Sequence, residues 1–154
     1  MESEIAKIYG NHVRIRACGL CYEGNKLLMV NHGGITSKDF WAPPGGGVSF
    51  GMSIEETLRK EFIEETNLTI TVGKFAFGCE FIQSPLHAVE LFFEVKQVSG
   101  MMQAGYDPEL QIIRDAAFFS PDEIRSLPQE MRHGIFKYYS PASGLGDLKG
   151  FYHV

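Results

Sequence analysis

Glu61, Glu64 and Glu65 lie within five residues of one another in a segment that reads as a helix. Side chains three and four residues apart share one helical face. With Glu61 at zero on a wheel of about 100° per residue, Ile54, Leu58 and Phe62 fall at about 20°, 60° and 100°. That is the core-facing stripe. Glu65, at about 40°, falls inside it, and Glu61 and Glu64, the latter at about 300°, lie on its border. Like charges at these spacings repel by roughly 0.2–0.5 kcal/mol per pair when exposed, and by more when partly desolvated. A divalent cation relieves that repulsion, and three carboxylates plus a backbone carbonyl or two suit Mg²⁺ or Mn²⁺. The pattern taken alone also fits a solvated acidic face, with Arg59 and Lys60 as partners and Lys60 paired to Glu64.

The elements that would position these groups are legible along the chain. Ser53-Ile54-Glu55-Glu56 has the form of a capping box, so the helix begins after Ser53. It runs to Thr66, and Asn67 suits the left-handed turn that ends it. Before it comes Trp41-Ala42-Pro43-Pro44-Gly45-Gly46-Gly47, a rigid stretch followed by a permissive one. Val13 to Tyr22 reads as a strand, Glu23-Gly24-Asn25 as a hairpin turn and Lys26 to Asn31 as the returning strand. Leu68 to Phe81 and His87 to Val98 read as long strands separated by Gln83-Ser84-Pro85. Ser99 to Asp107 reads as a loop and Ile112 to Phe119 as a further strand. Ser120-Pro121-Asp122-Glu123 opens a second helix. Pro128 punctuates it, Gln129 to Tyr139 continues helically, and the tail from Pro141 is irregular. The sum is one α+β domain over 1–154, a mixed, largely antiparallel sheet with helices packed on it.

The 154 residues are enough to bury a core without disulfides or a structural metal. A net charge of −5 and the lack of a Lys/Arg cluster argue against nucleic acid or an anionic membrane as the main partner. A single phosphate compound stays compatible, because a metal supplies the positive charge locally. Met1 to Arg16 shows no signal-peptide pattern, and no apolar run is long enough to span a bilayer. Cys18 and Cys21 form a C-x-x-C inside a strand, where positions three apart point to opposite faces. No second Cys/His pair sits at zinc spacing and no helix follows, so these read as small buried thiols of a cytoplasmic protein. The five histidines show no metal spacing and receive no role.

Read together, the glycines and the helix resemble the Nudix hydrolase motif, G-x5-E-x7-R-E-U-x-E-E-x-G-U, where U is a bulky aliphatic residue. Over the 23 residues from Gly46 to Leu68 the spacing agrees throughout. Gly46, Glu61, Glu64, Glu65 and Leu68 match, and Phe62 is an apolar variant. Three positions depart. Asn67 stands in place of glycine, which is benign because Asn tolerates the left-handed conformation. Lys60 stands in place of arginine and loses the planar fork that braces carboxylates. Met52 stands in place of the first glutamate and offers no oxygen.

The resemblance implies hydrolysis of a pyrophosphate bond in a nucleoside diphosphate-linked compound, such as ADP-ribose or another nucleotide sugar, or in a nucleoside triphosphate. It implies Mg²⁺ or Mn²⁺ on Glu61, Glu64, Glu65 and the Gly46 carbonyl. Glu61, Glu64 and Lys60 are the implied catalytic positions, with Glu61 or Glu64 orienting or deprotonating the water. Gly45 and Gly47 give the substrate close access to backbone. The resemblance also allows a further carboxylate from a distant loop, with Asp107 and Glu109 the first candidates, although a plain turn beginning Asp-Pro-Glu is the more ordinary reading, and with Glu80 and Glu90 the strand alternatives. Phe50, Phe81 and Tyr106 are candidates to stack on a base or ribose, though core or surface packing is the more ordinary role. Trp41 is expected to pack. A homodimer is implied by resemblance alone. Met52 and Lys60 keep a second reading open, a nucleotide-binding regulatory module with weakened catalysis.

Overall fold

In a computed structural model, which describes residues 4–33, 39–103, 105–107 and 112–154, the apolar run Val13–Glu23 forms β1 and returns as β2, Lys26–Asn31. Gly24 makes the turn at φ 63°, a conformation a side chain would disfavour. A short helix, α1 (Glu4–Tyr9), precedes β1. The proline–glycine stretch becomes two short strands, β3 (Trp41–Ala42) and β4 (Gly45–Gly47). Then come α2 (Ile54–Thr66), β5 (Thr69–Gln83) and β6 (Leu86–Ser99). The hairpin β7 (Gly105–Asp107) and β8 (Ile112–Arg114) leads to β9 (Ala116–Phe119), α3 (Pro121–Ser126) and a last strand, β10 (Phe151–His153).

The main sheet runs in the order β10-β5-β6-β1-β2-β3, with β4 also paired to β1 and β9 to β2. β1 with β6 and β10 with β5 are parallel, and the other described pairs are antiparallel. This is the expected α+β arrangement. Strand alternation divides the core into two clusters. Cys18, Leu20, Leu27, Met29, Phe77, Cys79 and Phe92 join Ile124 of α3 and the segment carrying Ile135, Phe136 and Leu145. Ala17, Cys21 and Leu28 instead meet Leu58 and Phe62 of α2. The sheet is therefore the middle of three layers, and Cys18 and Cys21 do sit in different clusters as free, buried thiols. Gly19 lets α2 settle: a Cβ there would come within 2.5 Å of the Phe62 ring.

The helix ends follow the sequence reading. Ser53 Oγ accepts from the Glu56 amide at 3.0 Å, Glu56 Oε2 accepts from the Ser53 amide at 3.1 Å, and Asn67 closes the helix at φ 62°. Elsewhere the structure differs. The expected strand Ile112 to Phe119 breaks at Asp115, whose carbonyl accepts from the Asn31 amide; residues before it pair with β7 and residues after it with β2. Part of the expected loop Ser99 to Asp107 is the strand β7. Gln129 to Tyr139 is not one helix but two 3₁₀ turns, Gln129–Met131 and Gly134–Tyr138. Between them the His133 amide leaves the helical path to donate to the Trp41 carbonyl at 2.9 Å. The tail is not wholly irregular either, since β10 adds to the sheet edge. Among the described residues no helix is long and apolar enough to cross a membrane.

Phe62 fills the α2–sheet contact with no exposure. Phe62→Ala should therefore cost about 3–5 kcal/mol. Ser53→Ala should cost about 1 kcal/mol. Urea unfolding of both variants checks the ranking.

Candidate active site

β4 is a strand without side chains, laid antiparallel on β1 with Gly45 opposite Cys18, Gly46 opposite Ala17 and Gly47 opposite Arg16. α2 packs against it. A Cβ on Gly46 would lie 2.4 Å from the Glu61 carboxylate, so glycine is what permits this approach. Glu65 is 3% exposed, and its Oε1 accepts from the Gly45 amide at 3.0 Å. Two of the three carboxylates thus close on the Gly45–Gly46 backbone. Glu64 is half-buried on the helix border, with Lys60 Nζ 3.9 Å from its Oε1. Lys60 is half exposed, and Met52, half-buried, brings no oxygen to the group. Arg59 turns outward to pair with Glu55 at 2.5 Å. The helical wheel therefore gives the correct burial for Glu65 and the correct border position for Glu61 and Glu64.

Beneath the glycine strand lies a buried polar network. The Arg16 guanidinium pairs with Glu90 of β6 and donates from Nη2 to the Gly45 carbonyl at 3.3 Å. His133 Nε2 lies 2.7 Å from Glu90 Oε1, and the Cys18 and Cys79 thiols each lie 3.6 Å from its carboxylate. Burial alone would push the Glu90 carboxyl up, but His133 and Arg16 against it hold it well below the ordinary 4.5. Burial likewise works against the Arg16 charge, and the carboxylates of Glu90, Glu65 and Glu61 around it outweigh that effect. Burial and Glu90 push both thiols up, so they stay protonated.

Two groups here carry metal-ligating atom types, and their chemistry differs. Glu61 and Glu65 bring hard oxygens to a side-chain-free backbone, with Glu64 on the border of the same helix, and the chemistry of this donor set fits Mg²⁺ or Mn²⁺. Cys79, Glu90 and His133 place ligand-type atoms within 4.8 Å of one another. The His133 Nδ1, however, accepts from the Ile135 amide at 3.0 Å. A neutral ring in that position carries its proton on Nε2, so the nitrogen facing Glu90 donates rather than ligates. With two neutral thiols beside it, this second group reads as a hydrogen-bonded brace.

Next to Glu61, a cleft of 390 Å³ opens between α1, β1 and the turn after β4, lined among others by Tyr9, His12, Arg14, Ser49, Lys60 and Glu61. Arg14 stacks on the Tyr9 ring, 3.9 Å from its centroid, with Nη2 3.4 Å from the point a Cβ on Gly47 would occupy. Cations thus adjoin the carboxylates in a chain of net charge −5.

The other candidates separate cleanly. Glu80 pairs with His87 at 2.8 Å and His153 at 3.6 Å. Its neighbour Cys79, on the opposite strand parity, is the residue that meets Glu90. Phe50 is fully exposed, Phe81 is half-buried, and Trp41 packs on Phe119 at 4.7 Å between ring centroids. Glu109 and the side chains of Tyr106 and Asp107 lie outside the described residues. Arg14, Arg16 and His133 are polar residues that the sequence reading did not single out. The sequence signal for Arg16 is faint: an arginine leading directly into the buried run of β1.

A mixed sheet carrying an acidic, capped helix over a glycine strand defines an α+β fold with a carboxylate site at its helix–strand junction. The NUDIX domain model matches residues 10–140, and the chain belongs to the Nudix family. It is 26% identical over 120 residues to an ADP-ribose pyrophosphatase of Methanocaldococcus jannaschii, a match covering 77% of this chain and 66% of that protein. The fold is shared with a NUDIX hydrolase from Nitrosomonas europaea, at TM-score 0.66 and 12% identity over 92% of this chain and 79% of the other. It is shared also with an ADP-ribose pyrophosphatase from Streptococcus suis, at TM-score 0.58 and 14% identity over 90% and 98% of the two chains.

Glu90 gives this site a pH signature. A carboxyl held low in the folded state contributes stability that is present above its unfolded value and lost as pH falls toward its folded value. Glu90→Gln should cost about 3–5 kcal/mol at pH 7, because it leaves Arg16 buried without its partner. The gap to the wild-type chain should narrow as pH falls below about 4.5. Urea midpoints at neutral and acidic pH check both parts.

Proposed function

We propose that the chain is a Nudix-type pyrophosphohydrolase that uses Mg²⁺ or Mn²⁺ to cleave a nucleoside diphosphate-linked compound, with ADP-ribose the first substrate to test. One observation carries this reading: Glu61 and Glu65 close on a strand without side chains, with Glu64 on the border of the same helix, beside a cleft lined by Arg14 and Lys60. The pyrophosphatase named among the relatives supports the substrate class.

In this reading Glu61, Glu64, Glu65 and the Gly46 carbonyl hold the cation. Once bound, it would neutralise phosphoryl oxygens and make the attacking water more acidic. The carboxylate of Glu61 or Glu64 takes the proton from that water. Its oxygen bonds to phosphorus as the bridging P–O bond breaks, and the displaced phosphate leaves with that bond's electron pair. Lys60 steadies the Glu64 charge, and Arg14 draws the substrate's anionic portion into the cleft. Gly45 and Gly47 leave room for the phosphates to approach the backbone. The partner is a small nucleotide.

Glu64→Gln should lower Mg²⁺-dependent turnover of ADP-ribose by about 10²–10⁴-fold. Phosphate released by a coupled phosphatase reads it, across a panel of nucleotide sugars and nucleoside triphosphates. Unchanged turnover in the variant would sink the assignment. Tight nucleotide binding without hydrolysis by the wild-type chain would mark a regulatory module instead.

A further inference from the structure

The Nudix motif carries a glutamate and an arginine where this chain has Met52 and Lys60, so the helix lacks its own bracing fork. We propose that Arg16 of β1 is the positioning residue that does this bracing, holding the Gly45–Gly46 backbone and through it Glu65 and Glu61, while Glu90 and His133 hold Arg16. The inference rests on the reading that those carboxylates bind the cation.

Lys60 is poorly suited to the task. Its side chain is 50% exposed, and its single ammonium reaches one carboxylate at 3.9 Å. Arg16 is buried deeper, at 18%, and its planar fork joins two strands at once. One nitrogen pairs with Glu90 on β6, and the other donates to the Gly45 carbonyl on β4. Gly45 in turn gives its amide to Glu65. Both polar groups of Gly45 are therefore tied, one to a cation and one to a carboxylate of the site.

Strand pairing makes this arrangement possible. Arg16 is the register partner of Glu90 on one side of β1 and of Gly47 on the other. Glu90 cannot swing away from Arg16, because His133 and two thiols occupy the rest of its carboxylate. The His133 tautomer is set in turn by the Ile135 amide. The brace thus runs from the 3₁₀ turn through β6 and β1 to the glycine strand and α2. A core ion pair that served stability alone would not need the contact to Gly45.

The test compares Arg16→Lys, which keeps a charge for Glu90 but loses the fork, with Lys60→Ala. Two quantities are read on the full chain: hydrogen exchange of the Gly45 amide by NMR without metal, and Mn²⁺ affinity by electron paramagnetic resonance. Arg16→Lys should weaken Mn²⁺ binding by about 10–100-fold. It should also speed Gly45 exchange by about tenfold, relative to core amides in the same sample. Lys60→Ala should change either by about fivefold or less. If Arg16→Lys does not fold, His133→Phe, which frees Glu90 on one side, should still speed Gly45 exchange selectively. Wild-type Gly45 exchange in a folded Arg16 or His133 variant overturns the proposal. So does a Lys60→Ala loss as large as that of Arg16→Lys. A wild-type chain that binds no Mn²⁺ refutes the metal reading, while the metal-free exchange still decides whether Arg16 braces Gly45.

Discussion

Glu65 is 3% exposed, and an ionised carboxylate so far from water costs several kcal/mol unless its charge is held. The Gly45 amide is one such hold, and much of the architecture around it follows from keeping the two together. The glycine strand has to lie within hydrogen-bond reach of α2, so it pairs with β1 rather than ending as a loop. α2 has to sit low on the sheet, so Gly19 yields space to the Phe62 ring. The helix has to start and stop at fixed points, which the Ser53–Glu56 box and Asn67 provide.

The same constraint explains the charges beneath. Glu65, Arg16 and Glu90 alternate in sign from the helix inward, and the His133 ring closes the series against Glu90. Each buried charge is thereby compensated by its neighbour, which is the condition under which burial of ions is tolerable. It also separates the two groups that have metal-ligand chemistry. The upper one is all oxygen and anionic. The lower one is saturated by its own protons: the Cys18 and Cys79 thiols and the His133 Nε2–H all point at one carboxylate.

Local interactions made much of this legible from sequence. The α2 boundaries, its cap, its buried face and the β1–β2 hairpin all depend on residues within a few positions of one another, and all match. The failures are long-range. The strand expected over 112–119 divides at Asp115 because residues before it pair with β7 and residues after it with β2, and His133 leaves a helix because Trp41 claims its amide. β10 forms because residues at the chain's end meet β5. Arg16 and Glu90 become partners through the parallel register of two strands that stand 74 residues apart. No spacing rule within a segment encodes such a register. That is why the carboxylates were visible and their brace was not.

In the proposed function the cation sits on the carboxylates between Gly46 and Leu68. Titrating Mn²⁺ into the ¹⁵N-labelled chain tests it most directly, because the ion broadens the amide signals nearest to it. The account predicts that the signals of 45–47 and 61–65 disappear first. Broadening centred instead on 79, 90 and 133, or spread evenly over the acidic surface, would contradict it.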